Sequence, residues 1–184
     1  LPCPVESLFD VDAVIVTHLH FDHFDEVAAK VLPKALTLFS QSEEEAQILR
    51  GMGFDDVRVL SGEGIAFDGV RLYRTKCDHG SSDLVTVDGY KDRGLTEKAS
   101  GVVFESAAET ERFYLAGDTI YCQLVVDAVE KFKPGIVAVN AAGAQYPLGH
   151  LIIMNQYDVR SLMRRFPTLK VIATHVEGVS HATV

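Results

Sequence analysis

Cysteine is scarce in this chain of 184 residues, and its three copies lie scattered at Cys3, Cys77 and Cys122. An odd count without any CxxC spacing excludes a disulfide framework and a zinc knuckle, and fits a reducing cytoplasm. Long apolar runs are missing too. None approaches the ~18–20 residues that span a bilayer, and no secretory signal is legible, so no membrane role is expected. Basic charge is in short supply, with 17 Lys and Arg against 26 Asp and Glu and a formal net charge of −9. That balance weakens any proposal built on attraction of nucleic acid or an anionic membrane. The one basic cluster, "RSLMRRF", reads as a solvated helix face carrying Arg160, Arg164 and Arg165. No methionine stands ahead of "LPCPVE", so the chain reads as a piece of a longer protein.

What remains is an ordinary globular composition, 47% hydrophobic and 23% charged, large enough to bury one sizeable core. A single domain over residues 1–184 is the expectation, with a homo-oligomer left open. Short β runs alternate with helical patterns. "DAVIVTH" reads as a buried strand, followed by an amphipathic "DEVAAKVL" that Pro33 stops. "ALTLFS" is the next strand, then the helix "SEEEAQILRGMG" with Ser42 as N-cap and acids in its first turn. Three β runs, "DVRVL", "GIAFDG" and "VRLYRTKC", precede a polar, glycine-punctuated loop or hairpin over "GSSDLVTVDGYKDRGLTEKAS". The second series runs strand "GVVFES", strand "RFYLAGD", helix "QLVVDAVEKF", strand "GIVAVN", loop "AAGAQYPLGH", helix "NQYDVRSLMRRF" and strand "KVIATH".

Polar residues emerge where these strands end. His18 follows "AVIVT", Asp118 follows "FYLAG" and His175 follows "VIAT". Strand ends are where a rigid backbone can present polar groups to a cleft. The stretch "VTHLHFDHFDE" concentrates the signal: in an extended segment residues two apart point the same way, so His18 and His20 can grip one ion. Asp22 and His23, at the turn into the next helix, can face a second. Imidazole and carboxylate donors suit zinc, manganese or iron, and the lack of thiolates argues against a closed structural zinc site.

"THLHFDH" resembles the HxHxDH signature of the metallo-β-lactamase superfamily. The later pieces match in order: His79 in "TKCDHG", Asp118 in "AGD" and His175 in "ATH". The resemblance spans residues 12–175 and implies an α/β fold, the four-layer αβ/βα sandwich with a two-metal site along one edge. Only eleven residues precede Asp12, whereas members of the superfamily run further strands there, so the expected sandwich lacks its first strands in this chain. The resemblance puts His18, His20 and His79 on one metal and Asp22, His23 and His175 on the other, with Asp118 bridging. The implied cofactors are two divalent ions, zinc first, with manganese or iron as alternatives.

The implied activity is hydrolysis of an ester-like bond, as in a lactone, carboxylic ester or phosphoester, in a small-molecule substrate by a metal-bridging hydroxide. Asp22 and Asp118 are the implied catalytic carboxylates. "GHLIIMNQYDV" and "VIATHVEGVSH" are similar to the metal-dependent hydrolase subgroup that includes ascorbate-6-phosphate lactonase-like proteins. His150 and His181 are candidates for substrate contact or for support of the ligands. A thioesterase of the glyoxalase II type, an acyl-homoserine lactonase, a mononuclear-iron persulfide dioxygenase and a non-catalytic metal-binding module remain as alternatives. The flavo-diiron branch is disfavoured because it places a Glu where His20 stands, and a nuclease because no basic arm is present.

Overall fold

The computed structural model describes residues 4, 9–79, 99–145 and 151–176. The chain divides into two compact units, Leu1–Leu60 and Ser61–Val184.

In the first unit, β1 (Ala13–Ile15), β2 (Thr37–Ser40) and β3 (Val57–Val59) form a parallel sheet in the order β1-β2-β3. Parallel neighbours need crossovers, and α1 (Glu26–Val31) and α2 (Glu43–Gly51) supply them. Each helix starts on a side-chain cap: Asp25 accepts from the Ala28 N–H at 2.7 Å, and Ser42 from the Glu45 N–H at 3.3 Å. α1 ends at Leu32 because Pro33 biases that residue out of the helical region. The apolar run of β2 buries Leu38 and Phe39 completely, as α2 does Ala46 and Leu49. Among the acids of α2's first turn, Glu45 is fully buried rather than solvated. Its carboxylate accepts from the Gln41 amide at 2.8 Å, which offsets part of the cost of desolvating a charge.

The second unit holds a six-stranded sheet in sequence order: β4 (Ile65–Phe67), β5 (Val70–Lys76), β6 (Ser100–Ser106), β7 (Phe113–Leu115), β8 (Ile136–Asn140) and β9 (Lys170–Thr174). The first four strands pair antiparallel, and β7, β8 and β9 pair parallel through α3 (Gln123–Phe132) and α4 (Gln156–Arg165). It follows that β5, β7, β8 and β9 all run the same way. Their carboxyl ends therefore reach one edge of the sheet, where ligands of open α/β sheets bind.

α3 buries Val125, Ala128, Val129 and Phe132, the three-and-four spacing of a single helix face, in a core with Val103, Tyr114, Val137, Val139 and Leu162. α4 opens on a capping box in which Asn155 accepts from the Tyr157 and Asp158 N–H groups. Arg164 and Arg165 occupy its last turn, favourable for the helix dipole, and Arg165 donates to Glu130 at 2.8 Å. The basic cluster is thus a surface face. Among the described residues no helix is long and apolar enough to cross a membrane. The loops expected at 80–100 and 141–150 fall largely outside the described residues. His150 and His181 fall wholly outside them.

Candidate metal centre

Each unit carries its own share of the seven candidate ligands. In the first, β1 stops at Ile15, and the Val16 N–H still donates to the Phe39 carbonyl at 2.8 Å before the chain leaves the sheet. His18 then lies fully buried, and His20 is 7% exposed. A tight turn follows, in which the His23 and Phe24 N–H groups both donate to the His20 carbonyl at 2.9 Å. That turn folds His23 back toward His18. The His18 ring centroid lies 4.4 Å from that of His20 and 4.2 Å from that of His23. Asp22 Oδ2 is 3.9 Å from His23 Nε2. Three imidazoles and a carboxylate thus gather around one turn, and both are donor types that suit a metal ion.

In the second unit the candidate ligands sit at the sheet edge defined by strand direction. His79 follows the end of β5, Asp118 the end of β7 and His175 the end of β9. The segments bearing His79 and Asp118 are strapped together: the Asp78 N–H donates to Thr119 Oγ1 at 3.0 Å, and the Ile120 N–H to the Asp78 carbonyl at 2.9 Å. Gly117 makes the exit from β7 possible. It sits at φ +71°, and a Cβ there would lie 2.7 Å from the Ser100 carbonyl oxygen, so only glycine fits without a shift. His175 adopts φ +60°, a left-handed conformation uncommon for a residue with a side chain.

His79 and Asp118 are both buried, with Nε2 and Oδ2 3.6 Å apart. The Nδ1 of His79 lies 2.7 Å from the Ile152 carbonyl oxygen. A carbonyl only accepts, so Nδ1 carries a proton, and in the neutral form of the ring the lone pair lies on Nε2, the form a metal ligand needs. Asp118 Oδ1 accepts from the Asn140 amide, and Asn140 Oδ1 accepts from the Thr174 hydroxyl at 2.7 Å. Cys77, as a residue half-buried, turns its thiol inward and donates to the Ala116 carbonyl at 3.1 Å. Burial, and next the Asp118 carboxylate, push that thiol up. Its hydrogen bond to the Ala116 carbonyl is that of a neutral thiol.

Asn140 and Thr174 had no place among the expected site residues. Their signal was positional: each is the polar last residue of an apolar strand, "IVAVN" and "KVIAT".

An α/β chain with imidazoles and carboxylates gathered at its strand ends is the plan of a metal-dependent hydrolase. The comparisons with known proteins agree. A family described as the Beta-lactamase superfamily domain matches residues 1–176. UPF0173 protein YddR of Bacillus subtilis (strain 168) is 37% identical over 186 residues, an alignment covering all of this chain and 69% of that protein. A UPF0173 metal-dependent hydrolase of Rubrobacter xylanophilus is 26% identical over 175 residues, covering 95% of this chain and 67% of the relative. Among solved structures, an isothiocyanate hydrolase from Delia radicum gut bacteria is 36% identical with a TM-score of 0.89, over 100% of this chain and 69% of that one. The chain belongs to the metallo-β-lactamase superfamily, in its metal-dependent hydrolase subgroup, and is a hydrolase of that fold.

Proposed function

We propose that the two sets of ligands serve one dinuclear centre, so that the two units work as a single hydrolase domain. His18, His20 and His79 would hold one ion, Asp22, His23 and His175 the other, and Asp118 would serve both. The donor types favour zinc, with manganese or iron as the alternatives. When bound, such ions supply an acidified water and polarise the substrate. The protein's own part is positional and acid–base. Asp22 would take up the proton released as water attacks, and Asp118 would present its carboxylate to the ions.

One observation carries this reading. His79 Nε2, with its lone pair fixed by the bond to Ile152, stands 3.6 Å from Asp118 Oδ2. Two donors bound to a common cation at about 2.0–2.2 Å each come to a separation of that order.

The reaction is attack on an ester-like centre, in a lactone, carboxylic ester or phosphoester of a small molecule. Isothiocyanates form a second substrate class, favoured by the similarity to the isothiocyanate hydrolase along the whole of this chain. Both classes present an electrophile to a water-derived nucleophile. The scattered cysteines support a cytoplasmic setting. The test is a panel of lactone, thioester, phosphodiester and isothiocyanate substrates given to metal-loaded protein, with and without chelator. Chelator-sensitive hydrolysis of the lactone, phosphodiester or isothiocyanate is expected. A folded, metal-loaded protein inert to the whole panel would point to a non-catalytic metal-binding module.

A further inference from the structure

The geometry points to Asn140, oriented by Thr174, as a positioning residue that fixes which oxygen of Asp118 is offered to metal. The inference rests on the reading of Asp118 as a ligand.

Three adjacent parallel strands deliver the residues. Asp118 follows β7, Asn140 ends β8 and Thr174 ends β9, and Asn140 and Thr174 stand directly opposite each other in the β8–β9 register. The Thr174 hydroxyl reaches Asn140 Oδ1 at 2.7 Å and the Val139 carbonyl at 3.1 Å. On its other side the Asn140 amide nitrogen donates to Asp118 Oδ1. An asparagine side chain can be turned over, exchanging oxygen for nitrogen. Here the Asp118 carboxylate, which can only accept, selects the orientation that turns the amide nitrogen toward it. In that orientation the Thr174 hydroxyl faces the amide oxygen and donates to it. The reverse orientation would set the amide oxygen against a carboxylate oxygen.

Burial makes this selection matter. Asp118 is 3% exposed and Asn140 9%, so water does not readily replace a bond broken between them. With Oδ1 held by the amide, the carboxylate cannot rotate freely, and Oδ2 is the oxygen left beside His79 Nε2 at 3.6 Å. Asn140 presents only N–H to Asp118 and so does not compete for a cation there. A carboxylate fixed in this way loses less freedom on binding metal, and partners of this kind typically contribute 10–100-fold in metal affinity.

The test uses cobalt(II) alone as probe, with dissociation constants from competition against a chromophoric chelator and the visible absorption spectrum of the bound ion. Thr174→Val removes the hydroxyl at nearly constant shape, and Thr174→Ser keeps it. Asn140→Ala is expected to weaken cobalt binding by roughly 10–100-fold and to alter the spectrum. Thr174→Val should move both in the same direction by less, and Thr174→Ser should match the wild type. Wild-type affinity and spectrum in folded Asn140→Ala would overturn the inference while leaving the metal centre intact. Should Asn140→Ala fail to fold, indistinguishable affinities and spectra for Thr174→Val and Thr174→Ser would overturn it. Failure of the wild type itself to bind cobalt would remove the underlying reading, and this inference with it.

Discussion

His79 donates from Nδ1 to the Ile152 carbonyl across 2.7 Å, a bond that joins the end of β5 to the segment ahead of α4. The bond does two jobs at once: it satisfies a buried imidazole and leaves the opposite nitrogen as a lone pair beside Asp118. His79→Ala should therefore remove a ligand and not merely a packing group. Metal affinity is expected to fall by more than the ~10–100-fold typical of an outer partner. Elemental analysis of folded mutant and parent checks this, and equal metal content would remove His79 from the donor set.

Gly117→Ala tests how the backbone places Asp118. The left-handed φ of +71° and the approach to the Ser100 carbonyl leave no room for a methyl group. The substitution should cost upward of about 1 kcal/mol, because the native conformation itself is incompatible with alanine. Metal affinity should fall with it, since Asp118 is the next residue. A urea midpoint identical to that of the parent would contradict the steric account.

The second unit also holds an acid-sensitive contact remote from the ligands. Glu105 accepts from the Tyr73 hydroxyl at 2.6 Å and from Arg112 Nε at 2.8 Å, and these bonds hold its carboxyl below the ordinary glutamate value. A carboxylate with a lowered folded pKa adds stability above its unfolded pKa and loses it as pH falls through the folded one. Glu105→Gln should then be less stable than the parent at pH 7, with the gap closing toward pH 3. Both side chains of the Glu105–Arg112 pair are about a third exposed, so the effect is modest. Urea midpoints at the two pH values decide it: a gap that stays constant would show that ionisation of Glu105 contributes nothing.

The candidate ligands stood out in the sequence because their chemistry is dense and local. His18, His20, Asp22 and His23 crowd one turn behind an apolar run, and His79, Asp118 and His175 each follow a β pattern in the order that the family resemblance requires. The start of α2 was equally legible at Ser42, where a capping side chain meets the first helical turn. The support of Asp118 was not. An asparagine and a threonine at the ends of two strands look ordinary until β8 and β9 are known to be neighbours in register, a relation between segments thirty-odd residues apart. Glu45 was hidden for a similar reason, since an acid in a first helical turn reads as solvated and only tertiary packing buries it. Strand length was overestimated at "DAVIVTH". Apolar patterning continues to Val16, but β1 stops at Ile15, and after one last bond from the Val16 N–H the chain leaves the sheet toward the histidines.

The most direct measurement is the metal-to-protein ratio of the wild-type chain after supplementation with zinc and removal of excess ion, read by elemental analysis alongside a circular dichroism spectrum that certifies folding. Seven imidazole and carboxylate ligands with a shared Asp118 predict a ratio close to two. A ratio of one in a folded sample would contradict the bridging role of Asp118, and a ratio of zero would contradict the metal centre altogether.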